Sequence, residues 1–399
     1  MPSHPVHPEI RLLDGRWYQR EPLEHYRWMR EKAPLYWDPH GEIWGVTLLE
    51  DVMAVSRQAD LFSSALGSRP EPGGNVPSMI NMDDPEHKRR RNLVNRGFTP
   101  RRLAEHEVRI RSIVNELIDA VAERGRCEFV REIAAPLPMI VIGDMLGVQP
   151  EDRDRLLRWS EDLLRSSGSD DPADREASMR AAGEYTEYAR AVIRDRRSRP
   201  LQGDLVSILV HAEIEGEKLD DEALLHESLL ILVGGDETTR HVITQGMEAL
   251  IRHPAERRKL RQDPSKIATA VEEMLRWVSP IKNMNRTATR DLELRGQRVR
   301  RGDRLLLLYQ AANRDERAFE RPDLFDVERD PNPHVAFGGY GTHHCLGASL
   351  ARLELRIAFE ELLRRLPDLE LESDGPLPLR RNNFIVGIEE MPVVFTAAR

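Results

Sequence analysis

A single cysteine stands in the run Phe337-Gly-Gly-Tyr-Gly-Thr-His-His-Cys345-Leu-Gly347, at the start of a segment striped with apolar residues. Leu346, Leu350, Leu353, Ile357 and Leu362 follow helical spacing, so Cys345 is expected near a helix N-terminus, whose dipole favours thiolate over thiol. The glycines at 338, 339, 341 and 347 tolerate tight turns and bring backbone close to a flat cofactor. Zinc fits poorly, because no second Cys-x-x-Cys or His-x-x-x-His element accompanies His343, His344 and Cys345. A buried thiol is the bland alternative; a haem iron held by cysteine thiolate is the chemical one.

A second chemical segment is Leu229-Leu-Ile-Leu-Val-Gly-Gly-Asp-Glu-Thr-Thr239, inside a helical pattern of roughly 30 residues, or about 45 Å. Gly234 and Gly235 each cost about 1 kcal/mol against alanine in a helix, which calls for a local reason. Above a haem they would leave a groove for dioxygen, with Glu237 and Thr238 as acid and hydroxyl for proton delivery. Otherwise Thr238 bonds back to a carbonyl and Glu237 is solvated. Glu273 and Arg276 share a helix face at i, i+3, and by themselves read as an exposed pair worth about 0.2 to 0.5 kcal/mol. His87 and Arg91, in His87-Lys-Arg-Arg-Arg91, are spaced i, i+4 and can point at one anion.

Together these segments resemble the cytochrome P450 family. Its haem loop has a Phe, spaced glycines, a basic residue two before the cysteine and a glycine two after, matched here by Phe337, Gly341, His343, Cys345 and Gly347. Phe337 stands one residue further from the cysteine than in the commonest form of that motif. The resemblance implies that Cys345 ligates haem b and that Gly234, Gly235, Glu237 and Thr238 belong to the oxygen-binding helix. It further implies that His87, Arg91, Arg286 and His343 hold the haem propionates, buried carboxylates that need charge-assisted donors. Glu273, Arg276 and Arg329 match the family's structural Glu-Arg-Arg scaffold.

The resemblance also implies substrate contacts from Met79, Ile80 and Met82, from Val233 and neighbouring Ile231, from Ile281 and Met284, and from Phe384 with Ile385. These are apolar and include adaptable methionines, suited to a large hydrophobic ligand. Strings such as Glu272-Glu-Met-Leu-Arg-Trp277 are similar to actinobacterial enzymes that oxidise the terminal methyl of the cholesterol side chain. A sterol or cholestenone is the expected substrate, with fatty acids, terpenes and macrolides as alternatives. A haem-thiolate peroxygenase and a non-catalytic haem sensor are the other functional classes; the Glu237-Thr238 pair favours the monooxygenase over the sensor.

The elements that must position these residues are mostly helical. Helix is expected over 105–123, 150–166, 174–197, 222–252, 264–277 and 346–366, and short strands over 43–48, 286–288, 305–308 and 393–396. The fold class is mainly α, a P450 fold with small β regions around a buried haem, in one domain over 1–399. No repeat or low-complexity linker divides the chain.

A net charge of −9 argues against a general nucleic-acid binder. Basic residues cluster locally at Lys88, Arg89, Arg90, Arg96, Arg101 and Arg102, which by resemblance lie towards the surface where redox partners dock. With no fused flavin or iron-sulfur segment, electrons are expected from a separate ferredoxin and its NAD(P)H-dependent reductase. Only Cys127 accompanies Cys345, so no disulfide framework is expected. The N-terminus lacks a signal pattern and no apolar run reaches spanning length, so a cytoplasmic protein without a membrane anchor is expected.

Overall fold

Asp220 starts the longest element by accepting the Ala223 backbone N–H, and the helix Asp221–Arg252 then runs for 32 residues until Pro254 follows. The computed structural model of the chain describes residues 5–71, 76–214 and 216–398, and about 52% of it is helical. This central helix packs against Pro136–Leu146, Pro172–Arg197, Ile267–Val278 and Ala348–Arg365. Burial on so many sides explains why its apolar residues are not confined to one stripe. At Gly246 an added Cβ would lie 2.9 Å from Phe359 and 3.1 Å from the Met274 sulfur, so glycine permits the close approach of three helices.

The expected helices are present with shifted ends: Pro100–Ala122, Arg153–Leu164, Pro172–Arg197, Asp221–Arg252, Ile267–Val278 and Ala348–Arg365. Helix Pro136–Leu146 was not anticipated. It is buried on nearly every face, so no 3.6-residue alternation marks it, and Gly147 closes it in the left-handed conformation at φ +74°. Leu49–Arg57 and Glu86–Val94 are short helices that likewise escaped the pattern reading.

Five strands form one sheet in the order Leu35–Asp38, Ile43–Val46, Arg304–Leu308, Asn283–Ala288, Phe62–Ser63. Only the Arg304–Leu308 and Ile43–Val46 pair is parallel. Arg286 lies opposite Leu305 in this sheet, which carries its side chain on a fixed strand. Pro392–Val394 lies in a separate three-stranded sheet, pairing with Arg126–Glu128, where buried Cys127 faces Val393 and burial pushes its thiol up to about 12.

Glu273 and Arg276 are fully buried, not an exposed pair. Arg276 donates Nε and Nη2 to the two Glu273 oxygens at 2.7 Å each, and donates on to the carbonyls of Asn313, Pro322 and Leu324. Arg329 Nε donates to Glu273 at 3.0 Å, as does Asn332 Nδ2 at 3.1 Å. One carboxylate and two guanidiniums therefore pin the 313–332 loop to helix Ile267–Val278, just ahead of the cysteine loop. Among the described residues no helix is long and apolar enough to cross a membrane.

Candidate active site

The cysteine loop is built by backbone hydrogen bonds: Cys345 N–H to the Phe337 carbonyl at 2.9 Å, His344 to Gly341 at 3.0 Å and Gly338 to Val335 at 2.9 Å. Gly338 needs its freedom, with φ at +97°. Gly339 and Gly341 serve packing against helix Leu49–Arg57. A Cβ at Gly339 would stand 2.3 Å from Ser56 Oγ, and one at Gly341 would stand 1.8 Å from the Ser56 carbonyl oxygen. At Gly347 an added Cβ would meet nothing within 4 Å, and this residue lines the cavity.

Cys345 lies on the wall of a cavity enclosing roughly 1370 Å³ free of protein atoms, its open mouth included. Solvent space reaches the residue from that cavity, yet surrounding protein raises the thiol pKa by desolvation. The Gly347 and Ala348 N–H groups, Arg91 and Arg352 pull it the other way without prevailing. The N–H groups at the helix start thus act in the direction expected of the dipole, against a larger desolvation effect.

Facing the cysteine, the central helix contributes Ile231, Gly234, Gly235, Thr238 and Thr239 to the lining. The two glycines have different reasons. An added Cβ at Gly234 would meet open space, whereas one at Gly235 would lie 3.0 Å from the Ile142 side chain of helix Pro136–Leu146. Thr238 presents its hydroxyl beside the cavity and donates it to the Gly234 carbonyl at 2.8 Å. Glu237 is not among the lining residues. It is fully buried, accepts from Arg380 Nη1 at 2.7 Å and lies 3.6 Å from Arg240 and 3.5 Å from His241. Burial opposes its ionisation, but Arg240 and Arg380 prevail and hold its pKa well below the carboxylate range. The neighbouring Asp236 is equally buried, and burial with the adjacent Glu237 charge pushes its pKa far up.

One edge of the cavity is cationic. The His87 and His343 rings lie tilted against each other with centroids 4.1 Å apart, and Arg91 and Arg286 also line the cavity. Arg91 ties its helix to the cysteine loop through the His344 carbonyl at 2.6 Å. Arg286 is buried and donates to the Asn285 carbonyl at 2.7 Å; among the described residues no carboxylate pairs with Arg91 or Arg286. His87 Nε2 is buried without a partner. Burial, then Arg286, His87 and Arg91, depress the His343 pKa to about 3. Buried Arg286 and half-buried Arg91, neither paired with a carboxylate among the described residues, fit a ligand that brings its own negative charge.

Met79, Ile80, Ile281 and Met284 line the cavity, together with Phe337 under the Arg352 guanidinium at 4.5 Å. Met82, Val233 and Phe384 do not line it; Val233 and Phe384 pack with Leu164 and Ile385 in a small core cluster that Ile281 and Met284 border. The structure also brings in Tyr309 and Glu354, which the sequence reading missed. Glu354 had a signal: an acid set between Leu350 and Ala358 on the buried stripe of helix Ala348–Arg365. Of the basic cluster, Lys88 and Arg89 are exposed, whereas Arg90 turns to Glu227, Arg96 to the Glu213 carbonyl and Arg102 to the Gly203 carbonyl. The Arg101 side chain lies outside the described residues.

A cysteine and an open glycine in the lining of one cavity, with arginines there that no carboxylate pairs among the described residues, suit a flat dianionic macrocycle. Residues 171–392 match the sequence profile of the family described as Cytochrome P450. The chain is a cytochrome P450. It is 50% identical over 392 residues to the "Steroid C26-monooxygenase" of Mycobacterium tuberculosis, covering 98% of each chain. The "Methyl-branched lipid omega-hydroxylase" of Mycobacterium bovis is 39% identical, over 92% of this chain and 90% of that one. Among solved structures, the Mycobacterium marinum P450 CYP268A2 in complex with pseudoionone superposes with a TM-score of 0.90 at 33% identity, over 98% and 100% of the two chains. The P450 fold expected from the motifs is thus the observed one. Family membership carries haem-thiolate chemistry and dioxygen use with it, and the cavity's donors fit that group.

Proposed function

We propose that this P450 hydroxylates the terminal methyl of a sterol side chain, with cholest-4-en-3-one as a representative substrate. The observation that carries this reading is the near-complete, 50% identical match to a steroid C26-monooxygenase, together with an apolar chamber wall of Met79, Ile80, Ile281 and Met284. In our reading Cys345 Sγ holds the iron of haem b, while His87, Arg91, Arg286 and His343 receive the propionates. A thiolate-held haem supplies cleavage of dioxygen and insertion of one oxygen atom into an unactivated C–H bond.

The protein's own residues then have three tasks. The apolar wall excludes water and holds the alkyl tail so that its end, not the rings, meets the reacting centre. Thr238 places a hydroxyl at the chamber, a donor and acceptor at the site where protons are needed. Glu237 stores an ionised carboxylate behind it, clamped by Arg380, and takes part in proton delivery when that pair opens. Electrons come from a separate ferredoxin and its NAD(P)H-dependent reductase in the cytoplasm.

Incubation with cholest-4-en-3-one, ferredoxin, reductase and reduced nicotinamide should yield the terminal alcohol, preceded by a substrate-induced spin-state shift. Ring hydroxylation, or a spin shift with a fatty acid, terpene or macrolide but none with sterols, overturns the sterol assignment and leaves the monooxygenase. The 39% identity to a lipid ω-hydroxylase makes a branched fatty acid the sharpest competitor in that panel.

A further inference from the structure

Glu227 interrupts the buried face of the central helix between Ala223 and Ile231, two turns before Gly234, and its side chain is fully buried. Its Oε1 accepts the Met79 backbone N–H at 2.8 Å and lies 3.3 Å from Arg90 Nη1, while Oε2 has no hydrogen-bond partner. Met79 begins the single turn Met79–Asn81, whose first two residues line the cavity. Arg90 sits on helix Glu86–Val94, between His87 and Arg91 of the cationic edge. One carboxylate thus joins a chamber wall, the helix beneath that edge and the central helix.

Met79 is buried in the main core and the turn packs on helix Glu86–Val94, but among the described residues its polar ties are few. Its internal bonds are Asn81 N–H to the Ser78 carbonyl and Asn81 Nδ2 to the Val76 carbonyl, and its other outside tie is Ser68 N–H to Asn81 Oδ1. A glutamine would accept the same N–H without the penalty of a buried charge, so an acid here is poorly explained by packing. We propose that Glu227 is a positioning residue: its carboxylate fixes the Met79–Asn81 wall against the central helix and Arg90, and the chamber's affinity for ligand follows the charge on that carboxylate. The inference rests on the cavity being the substrate chamber.

The titration falls in a useful window. Burial raises the Glu227 pKa to about 7, against the lowering effect of the Met79 N–H and Arg90. The charged group facing it from the Glu86–Val94 helix is Arg90, and the Met79 turn offers only backbone. On its own helix the neighbouring His226 has a pKa lowered by burial. From Pro172–Arg197, Tyr185 bonds the adjacent Ser228, and burial raises its pKa far above neutrality. Of the groups facing this carboxylate, Glu227 itself is the one whose charge changes there: ionised above about 7 and clamping, neutral below it and loosened. Buried Lys282, between Ile281 and Met284 of the wall, is also lowered to about 7 by burial, so the Glu227→Gln profile is needed to separate the two.

Two measurements on the holoenzyme test this. Spin-state titration with cholest-4-en-3-one between about pH 6 and 8 should show wild-type affinity weakening several-fold towards acid, with that several-fold weakening lost in Glu227→Gln. Hydrogen exchange of the peptide spanning 76–82, without ligand, should quicken about tenfold in Glu227→Leu, which removes the acceptor, and less in Glu227→Gln, which keeps one. A Gln variant that follows the wild-type pH profile, or a Leu variant with unchanged exchange, overturns the proposal. If the Leu variant does not fold, the Gln profile decides. If cholestenone gives no spin shift, the sterol reading fails while the exchange measurement still decides this one.

Discussion

Cys345 and Thr238 line the same chamber, and each makes a separable prediction. Desolvation holds the Cys345 thiol pKa up, so the ligand role proposed for it rests on its position in the cavity wall and not on an intrinsically acidic thiol. Cys345→Ser should abolish the thiolate signature of the ferrous carbon monoxide spectrum, and Cys127→Ser, buried in a sheet remote in chain and chemistry, should leave it intact. A retained signature in the first variant would remove Cys345 as ligand. For Thr238→Ala we expect normal haem and substrate binding but electrons diverted to peroxide, with product formation down about 10²-fold or more if proton delivery passes this hydroxyl. Unchanged coupling of reductant to product would take Thr238 out of the mechanism. Glu237, locked to Arg380 and away from the lining, predicts that Arg380→Leu alters that coupling too, an effect no reading of residues 234–239 alone suggests.

At the scale of elements, the paired glycines separate function from packing. Gly234→Ala should stabilise the helix by about 1 kcal/mol, since its Cβ meets open space, while weakening ligand binding because the methyl enters the chamber. Gly235→Ala gains the same propensity but presses on Ile142, an overpacking cost of about 1 to 3 kcal/mol, so net destabilisation is expected. Denaturant midpoints and spin-state titrations on the two variants check the opposite signs. The tie between helix Ile267–Val278 and the loop before the cysteine is buried, so Glu273→Gln should cost about 3 to 5 kcal/mol by leaving Arg276 and Arg329 uncompensated. Glu272, next in chain, has a different lesson. Burial would raise its pKa, but Arg352 and His334 hold it at about 2. Because the folded value is depressed, its contribution is present above the ordinary value of 4.5 and is lost as pH falls towards about 2. Acid unfolding of Glu272→Gln should show a shallower loss of stability across that interval.

For the whole molecule, the net charge of −9 means that the acidic ferredoxin we propose as electron donor would need a local exception. On that reading Lys88 and Arg89 are the docking residues, being exposed on the helix whose other residues His87 and Arg91 line the cavity, so a donor docked there would sit one helix from the cationic edge. Charge reversal at Lys88 and Arg89 should raise the KM for ferredoxin several-fold and flatten its salt dependence, with the substrate spin shift unchanged. Arg90, Arg96 and Arg102 should matter less for docking, being engaged by Glu227 and by backbone carbonyls.

The ligand loop, the glycine-bearing helix and the basic pairs were legible in the sequence because each depends on residues near one another in the chain, where spacing alone carries the chemistry. The long helices were legible too, since the period of burial is written in the order of residues. Helix Pro136–Leu146 was not, because an element buried all round has no period to read. Nor could spacing say that Gly339 and Gly341 answer to Ser56, that Glu237 answers to Arg380, or that Val233 and Phe384 belong to a core cluster beside the chamber. Those partners lie tens to hundreds of residues away, and only the folded chain brings them within contact distance. The same holds for Glu227: its sequence marks an acid on a buried stripe, and tertiary packing alone sets the Met79 N–H and Arg90 against it, turning a costly buried charge into a clamp on the chamber wall.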